Sequence, residues 1–166
     1  MPLRADLSRH AVVLVDAPGA RDLLALVEVP VTTLGAGEGS DVLIRDREIG
    51  RDGSSATLIV DGEAVRIRTV MRGTHNLDNV LLAVVTAIRA GIDPGVAARS
   101  VAEVQAPPGR LEPVGEADDP LVLVDYAHTP DAIGIVAGVG RDLVPQGGRL
   151  IIVVGAGGDR LSLIHI

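Results

Sequence analysis

Two runs of five aliphatic residues most constrain what this chain can fold into. They are residues 11–15 (Ala-Val-Val-Leu-Val) and residues 150–154 (Leu-Ile-Ile-Val-Val). Continuous runs rich in β-branched residues are typical of strands that are buried on both faces of a parallel sheet. Segments with helical spacing lie between the two runs. Alternation of strands and helices along a chain indicates an α/β fold.

The composition narrows the function. The 166 residues carry a net charge of −7, which argues against a nucleic-acid partner because such a partner favours a basic face. All 15 basic residues are arginine, so no step that needs a lysine amine can take place here. The absence of cysteine excludes thiolate zinc sites and fits a cytoplasmic protein. No segment is long and apolar enough to suggest membrane insertion, and the first residues do not resemble a signal peptide.

Residues 106–109 (Ala-Pro-Pro-Gly) interrupt the pattern and predict a domain boundary. After them come a strand, a helix that Thr129 can cap and a second strand, which is the opening of a doubly wound domain. Before them, Asp61-Gly62 predicts a hairpin turn. The predicted elements, in chain order, are a strand at 11–15, a helix at 20–26, strands at 31–34, 41–49, 56–61 and 64–70, helices at 77–90 and 94–104, a strand at 122–125, a helix at 129–142 and a strand at 150–154.

Asp125 and His128 form the first candidate site, because they stand between a predicted strand and a predicted helix. Open α/β sheets bind ligands at such positions, in a crevice beside helix N-termini. A carboxylate can accept hydrogen bonds from ribose hydroxyls, and an imidazole can hydrogen-bond to a nucleotide or pack on it. A capped helix with a polar loop explains the same residues, and local physics alone favours that explanation slightly.

Three further candidates follow from their places in the sequence. Asn76 and Asn79 share a helix face; an N-cap role explains Asn76, whereas an amide at Asn79 among apolar neighbours needs a partner. Arg110 follows the predicted boundary, where an arginine is either solvated or reaches phosphate in an interdomain cleft. The loop at 155–160 allows close approach of an anion, with Arg160 as a carboxylate clamp. An ordinary strand-end turn is the favoured explanation of that last pattern taken alone.

The order and spacing of four segments resemble the Mur ligase family. The segments are residues 73–79 (GTHNLDN), 108–112 (PGRLE), 124–132 (VDYAHTPDA) and 155–160 (GAGGDR). The resemblance covers about residues 10–160. It implies that residues 1–107 are the C-terminal part of a central ATP-binding domain, and that residues 108–160 begin a Rossmann-like C-terminal domain. Residues 161–166 have no turn or helix pattern, and we predict that they are an artefactual tail.

The resemblance implies an ATP-dependent, amide-forming ligase of peptidoglycan precursor synthesis. The most similar branch of the family adds the third amino acid, diaminopimelate or lysine, to UDP-MurNAc-L-Ala-D-Glu through an acyl phosphate. ATP and magnesium are the implied cofactors, and the UDP-MurNAc-dipeptide and an amino acid are the implied substrates. Arg160 is implied to bind the incoming amino acid. The residues implied to bind ATP are Asn76, Asn79, Arg110, Asp125 and His128.

The sequence also departs from the family pattern. The family's phosphate loop and its magnesium-site lysine have no counterpart in a sequence without lysine. We therefore expect a fragment that is inactive alone, with no complete set of catalytic or metal-binding residues. Two alternatives stay open: a ligase similar to cyanophycin synthetase or folylpolyglutamate synthase, and a non-catalytic nucleotide-binding module. Thr129 and the doubled glycine before Asp159 favour the cell-wall branch.

Overall fold

The structure, a computed structural model, describes residues 9–115 and 120–155. The mixed α/β architecture confirms the predicted fold class. The elements, in chain order, are β1 (Ala11–Leu14), α1 (Ala20–Leu24), β2 (Val31–Gly35), β3 (Val42–Gly50), β4 (Gly53–Val60), β5 (Glu63–Thr69), α2 (Thr74–Arg89), α3 (Pro94–Glu103), β6 (Glu112–Val114), β7 (Val122–Val124) and α4 (Pro130–Leu143).

The five strands β1 to β5 form one sheet in sequence order. β1, β2 and β3 run parallel, and β4 and β5 extend the sheet by antiparallel pairing. The turn between β4 and β5 is at Asp61-Gly62, where both residues have positive φ (50° and 88°). Two successive positive φ angles are the geometry of a type I′ hairpin turn, so the predicted hairpin is confirmed.

Helix α2 supplies much of the core that covers this sheet. Its apolar residues recur at positions i, i+3, i+4, i+7 and i+8, which places them on one face. They pack against the inward side chains of β2 to β5 in a single cluster. Burying one leucine or valine side chain contributes about 1.5–3 kcal/mol, so this face fixes the helix firmly on the sheet. The buried apolar residues of α2 are Leu77, Val80, Leu81, Val84 and Val85.

The two ends of α2 are set by glycines. The helix starts at Thr74, three residues earlier than predicted, and its N-cap position is Gly73, which offers no side chain. An N-cap role for Asn76 is therefore wrong. At the other end, Gly91 has a φ of 96°, and the N–H of Ile92 donates to the carbonyl of Ala87. This is the hydrogen bond of a Schellman motif, which glycine permits because it adopts positive φ without strain.

A bulge in β3 connects the sheet to α2. The register between β3 and β4 shifts between Arg45 and Glu48, and Asp46 has a φ of 49°. The extra residue changes which side chains face the helix. Arg47 then lies 2.7 Å from a carboxylate oxygen of Asp78 on α2, in a half-buried ion pair.

The second part of the chain is a small hairpin followed by one helix. β6 and β7 pair antiparallel, and α4 begins after Thr129, whose hydroxyl accepts from the N–H of Ala132 as predicted. The strand predicted at 150–154 is wrong: residues 150–155 pair with no strand in the described part of the chain. β7 pairs with β6 alone among the described residues, and Ile151 and Val153 remain 75% and 93% exposed. In the parts of the chain that the structure describes, no helix could cross a membrane.

A carboxylate links the two ends of the loop between β2 and β3. Asp41 accepts hydrogen bonds from the backbone N–H and the hydroxyl of Thr33, at 2.8 and 2.7 Å. These bonds favour the ionised form and hold the pKa of Asp41 below its usual value. At the end of β1, Asp16 closes the same loop by accepting from the N–H of Ala36 at 2.7 Å.

The Asp41 contact predicts a pH dependence of stability. A carboxyl whose pKa is lowered on folding stabilises the fold above its unfolded pKa and loses that effect as the pH falls through the folded pKa. We expect the free energy of unfolding to decline as the pH falls below 3.8, the ordinary value for aspartate. Asp41→Asn should flatten this decline in urea titrations at several pH values, whereas Asp22→Asn on the exposed side of α1 should not. Equal slopes for both variants would contradict the assignment.

Candidate functional site

A pocket of about 260 Å³ lies between the start of α2 and the hairpin and helix of the second part. Its polar side carries two histidines, an arginine and an aspartate, and its apolar wall comes from α4. A few convergent polar groups over an apolar wall are features of small-molecule sites, which are usually larger, at about 300–1,000 Å³. The lining residues are His75, Arg110, Asp125, Tyr126, Ala127, His128, Ala132, Ile135 and Val136.

Tyr126 and His128 present two rings at the mouth of the pocket. Their ring centroids are 5.1 Å apart, and the planes meet at 61°. Nδ1 of His128 lies 3.0 Å from the carbonyl oxygen of Tyr126, which fixes the imidazole orientation. Tyr126 is 71% exposed, so its ring can contact a ligand without first breaking a packed core. Planar faces at this position suit the stacking of a planar ligand such as a base.

Asp125 binds two backbone groups. One carboxylate oxygen accepts from the N–H of Leu111 at 3.0 Å, and the other accepts from the N–H of Ala127 at 2.8 Å. Each carboxylate oxygen can accept more than one hydrogen bond, so a ligand hydroxyl could still bind. Asp125 thus has a structural role as well, because it ties the turn before β6 to the loop after β7.

The turn at residues 109–112 is strained and tightly held. Gly109 and Leu111 have φ angles of 69° and 48°. A left-handed conformation costs a bulky residue about 1–3 kcal/mol and persists where surrounding contacts enforce it. The side chain of Leu111 is only 1% exposed. Arg110, between these two residues, is exposed on the pocket rim and binds no side chain or backbone group among the described residues.

His75 belongs to the segment at residues 73–79, where the sequence pattern indicates no role for it. It lies in the first turn of α2, lines the pocket, and its Nδ1 is buried without a hydrogen-bond partner in the described residues. Gly73 makes this arrangement possible, because a Cβ there would lie 3.1 Å from Leu111 Cδ1 and from Val139 Cγ2. The signal that could have identified both residues was their place beside Asn76 in the first segment of the resemblance.

The two asparagines have different surroundings, and neither lines the pocket. Asn76 is buried and donates from Nδ2 to the carbonyl of Arg72 at 2.8 Å, which secures the chain just before α2. Arg72 in turn donates from Nε to the carbonyl of Arg51 in the β3–β4 turn. Asn79 is exposed. The expectation that its amide needs a protein partner is therefore wrong, because the apolar neighbours occupy the opposite face of the helix.

The pocket brings together Arg110, Asp125 and His128, three of the five residues predicted to bind ATP. Arg160, predicted to bind the amino acid, lies outside the described residues. Within residues 9–115 and 120–155, no group of three or more His, Asp or Glu side chains could hold a metal ion. This arrangement suits a planar, anionic ligand. The rings and the aliphatic wall from α4 can pack on its planar part, and Arg110 can bind its negative charge.

The chain is similar in sequence to known ligases. Residues 109–162 match the family model of the Mur ligase, glutamate ligase domain. The chain is 34% identical over 158 residues to the UDP-N-acetylmuramoyl-L-alanyl-D-glutamate–2,6-diaminopimelate ligase of Syntrophomonas wolfei, covering 95% of this chain and 32% of that protein. It is 37% identical to the ligase of the same name from Corynebacterium efficiens, covering 96% of this chain and 30% of the relative.

Solved structures agree with the sequence comparisons. A structure of a UDP-N-acetylmuramoyl-L-alanyl-D-glutamate–2,6-diaminopimelate ligase superposes with a TM-score of 0.70 at 26% identity, over 92% of this chain and 32% of that one. Folylpolyglutamate synthase from Mycobacterium tuberculosis, complexed with ADP and AMPPCP, superposes with a TM-score of 0.63 at 26% identity, over 82% and 31%. The chain is similar to Mur ligases over most of its length and spans about a third of the length of the curated relatives it matches.

The contact at Gly73 predicts the effect of a small substitution. Gly73→Ala should lower the free energy of unfolding by about 1–3 kcal/mol beyond the cost of positive φ, because the new methyl group meets Leu111 and Val139. Gly91→Ala is the control: φ is also positive there, but a Cβ would meet nothing within 4 Å. Urea denaturation measures the loss in free energy of unfolding for each variant. Methyl NMR spectra should show shifts of Leu111 and Val139 only for Gly73→Ala. Undisturbed methyl signals would contradict the close packing.

Proposed function

We propose that this chain forms part of an ATP-dependent ligase that adds the third amino acid to UDP-MurNAc-L-Ala-D-Glu in peptidoglycan precursor synthesis. The observation that carries the proposal is the pocket in which Arg110, Asp125 and His128 converge. These residues come from two of the four segments that carry the family resemblance. The relatives named as 2,6-diaminopimelate ligases support the choice of branch.

The pocket is proposed to hold the nucleotide. The exposed rings of Tyr126 and His128 would pack on the adenine, and the wall formed by Ala132, Ile135 and Val136 would exclude water from its lower side. The complexes of folylpolyglutamate synthase with ADP and AMPPCP support a nucleotide ligand for this fold. Asn79, exposed near the start of α2, is proposed to contact the same nucleotide from outside the described pocket lining, and Asn76 to support the turn.

Arg110 would act on the phosphates. In the proposed reaction a substrate carboxylate oxygen attacks the γ-phosphorus, the bond to the β-γ bridging oxygen breaks, and ADP leaves. The amine of the incoming amino acid then attacks the acyl carbon, loses a proton and displaces phosphate. Negative charge is redistributed over the phosphoryl oxygens in the first step. A guanidinium beside them would stabilise that charge by direct attraction and hydrogen bonding.

The incoming amino acid is proposed to bind at Arg160. A guanidinium forms two parallel hydrogen bonds with a carboxylate, which fixes the direction of the attacking amine. Magnesium, which the family implies, finds no set of ligands among residues 9–115 and 120–155.

The test is ligation by a protein of the relatives' full length that carries this chain. With ATP, UDP-MurNAc-L-Ala-D-Glu and diaminopimelate, it should release ADP and form the tripeptide product. Arg110→Ala should lower kcat/KM by about 10²–10³, because the phosphate charge loses its partner. Arg99→Ala, an exposed arginine on α3, should leave kcat/KM unchanged and serves as the control.

Other outcomes separate the alternatives. ADP release that depends on a folate and glutamate, but not on the UDP-linked dipeptide, would favour the ligase similar to folylpolyglutamate synthase. ATP binding without turnover on any of these substrates would favour the non-catalytic nucleotide-binding module. Ligation that is unaffected by Arg110→Ala would contradict the phosphate role of this residue.

A further inference from the structure

The chain contains two Asp-Gly pairs, and both lie at tight turns of the sheet. Asp52 is in the turn between β3 and β4, where Gly53 begins β4, and Asp61-Gly62 is the turn between β4 and β5. Both aspartates are exposed. The backbone nitrogen of a glycine is unusually accessible, because glycine has no Cβ. An aspartate before glycine can therefore react with its own main chain, and the surroundings of the two pairs differ.

An arginine from α2 holds the carboxylate of Asp61. Nη1 of Arg89 lies 3.1 Å from Oδ2, and Nη2 lies 3.4 Å from Oδ1. Arg89 is itself held, because its Nε donates to the hydroxyl of Thr32 on β2 at 3.1 Å. Two contacts to one guanidinium fix the direction of a carboxylate. The Asp61 side chain must break both contacts before its carboxyl carbon can approach the nitrogen of Gly62.

The carboxylate of Asp52 has no such partner. Among the described residues it accepts no hydrogen bond and forms no ion pair. The buried Arg72 attracts it from beyond ion-pair distance, and the Arg72 guanidinium donates to the carbonyls of Arg51 and Val70 instead. The turn also borders an open surface groove of about 440 Å³, so water reaches it. The Asp52 side chain can therefore rotate onto the nitrogen of Gly53 without first breaking a contact to the described part of the chain.

We propose that Asp52-Gly53 is a site of spontaneous isomerisation to isoaspartate, and that Arg89 protects Asp61-Gly62 from the same reaction. The nitrogen of Gly53 attacks the carboxyl carbon of protonated Asp52, a C–N bond forms, and the amide proton leaves with the carboxyl hydroxyl as water. The product is a five-membered cyclic imide, which water reopens. Breaking the bond from nitrogen to the side-chain carbon restores aspartate. Breaking the bond to the main-chain carbonyl carbon gives isoaspartate, in which the main chain passes through the side chain.

Isoaspartate at residue 52 would disturb the start of α2. It lengthens the main chain by one methylene group, at a place where even a Cβ on Gly53 would clash with the backbone of β5. The carbonyl of Arg51 accepts from Nε of Arg72, and the carbonyl of Arg72 accepts from Nδ2 of Asn76 in the first turn of α2. A displacement of the turn would therefore reach the helix through two hydrogen bonds.

The test is storage of the 166-residue chain at mildly acidic pH, both folded and in urea, followed by digestion with trypsin. Cleavage after arginine releases residues 52–66 as one peptide, so the two sites are compared within the same molecule. Electron-transfer fragmentation locates isoaspartate at each position. In the folded chain we expect isoaspartate to form about threefold faster at residue 52 than at residue 61, a ratio that one exposed ion pair can produce. In urea the ratio should fall to about one, because the fold no longer holds the Asp61 side chain.

Arg89→Met tests the protection directly. Without the guanidinium, the rate at residue 61 in the folded chain should rise about threefold, to that at residue 52. Arg99→Met, which replaces an exposed arginine on α3, is the matched control and should leave both rates unchanged. High salt screens the exposed ion pair, so the parent chain stored in high salt should give the same rise and tests the protection if Arg89→Met does not fold.

Three results would overturn the inference. They are equal rates at the two positions of the folded chain, a faster rate at residue 61, and no isoaspartate at residue 52 under conditions in which the urea sample reacts. A rate at residue 61 that is unchanged both in Arg89→Met and in high salt would show that Arg89 does not protect this pair. Chain isomerised at residue 52 should unfold at a lower urea concentration than the parent, and an unchanged midpoint would contradict the link to α2.

Discussion

Burial of the apolar face of α2 is the interaction on which the rest of the structure depends. Leu77 and Leu81 are fully buried against the sheet, and the helix cannot rotate without exposing them. The first turn of the same helix carries Gly73 and His75 to the junction with the second part of the chain. The hydrophobic core therefore fixes one wall of the pocket, and the β6–β7 hairpin and α4 supply the other.

The second part of the chain can pack against the start of α2 because residue 73 is a glycine and has no side chain. Gly73 leaves room for Leu111 and Val139, which seat the second part of the chain on the helix start. Leu111 then accepts a strained conformation that the Asp125 hydrogen bond stabilises. Strain held by surrounding contacts is common at functional sites, and here it lies next to Arg110 on the pocket rim. The packed Leu111 and the pocket-lining Arg110 are thus consecutive residues.

Much of the fold could be predicted from local pattern. The Asp61-Gly62 turn and the Thr129 cap depend on interactions within a few residues, so the sequence alone was sufficient for them. The segment at 150–154 shows the limit, because a strand exists only if a neighbour pairs with it, and composition does not reveal the neighbour. The prediction that the amide of Asn79 needs a protein partner was wrong for a related reason. Its neighbours in sequence are mostly apolar, but the helical periodicity places the Asn79 side chain on the exposed face.

The site was predictable only in part. Arg110, Asp125 and His128 were found through the spacing of segments that resemble a family, and local physics alone did not single them out. The bonds from Asp125 to Leu111 and Ala127 join residues up to 14 positions apart across a hairpin, which no local pattern specifies. The place of His75 in the pocket lining depends on how the second part of the chain packs at Gly73, so it becomes apparent only in three dimensions.

The central claim is that a nucleotide binds between α2 and the second part of the chain. The most direct measurement is an NMR titration of isotope-labelled chain with ATP, following assigned signals of individual residues. We predict saturable shifts at His75, Arg110, Tyr126 and His128, with the Asp61-Gly62 turn unaffected. Saturable shifts confined to other surfaces, or no shifts at any of these four residues at saturating nucleotide, would contradict it.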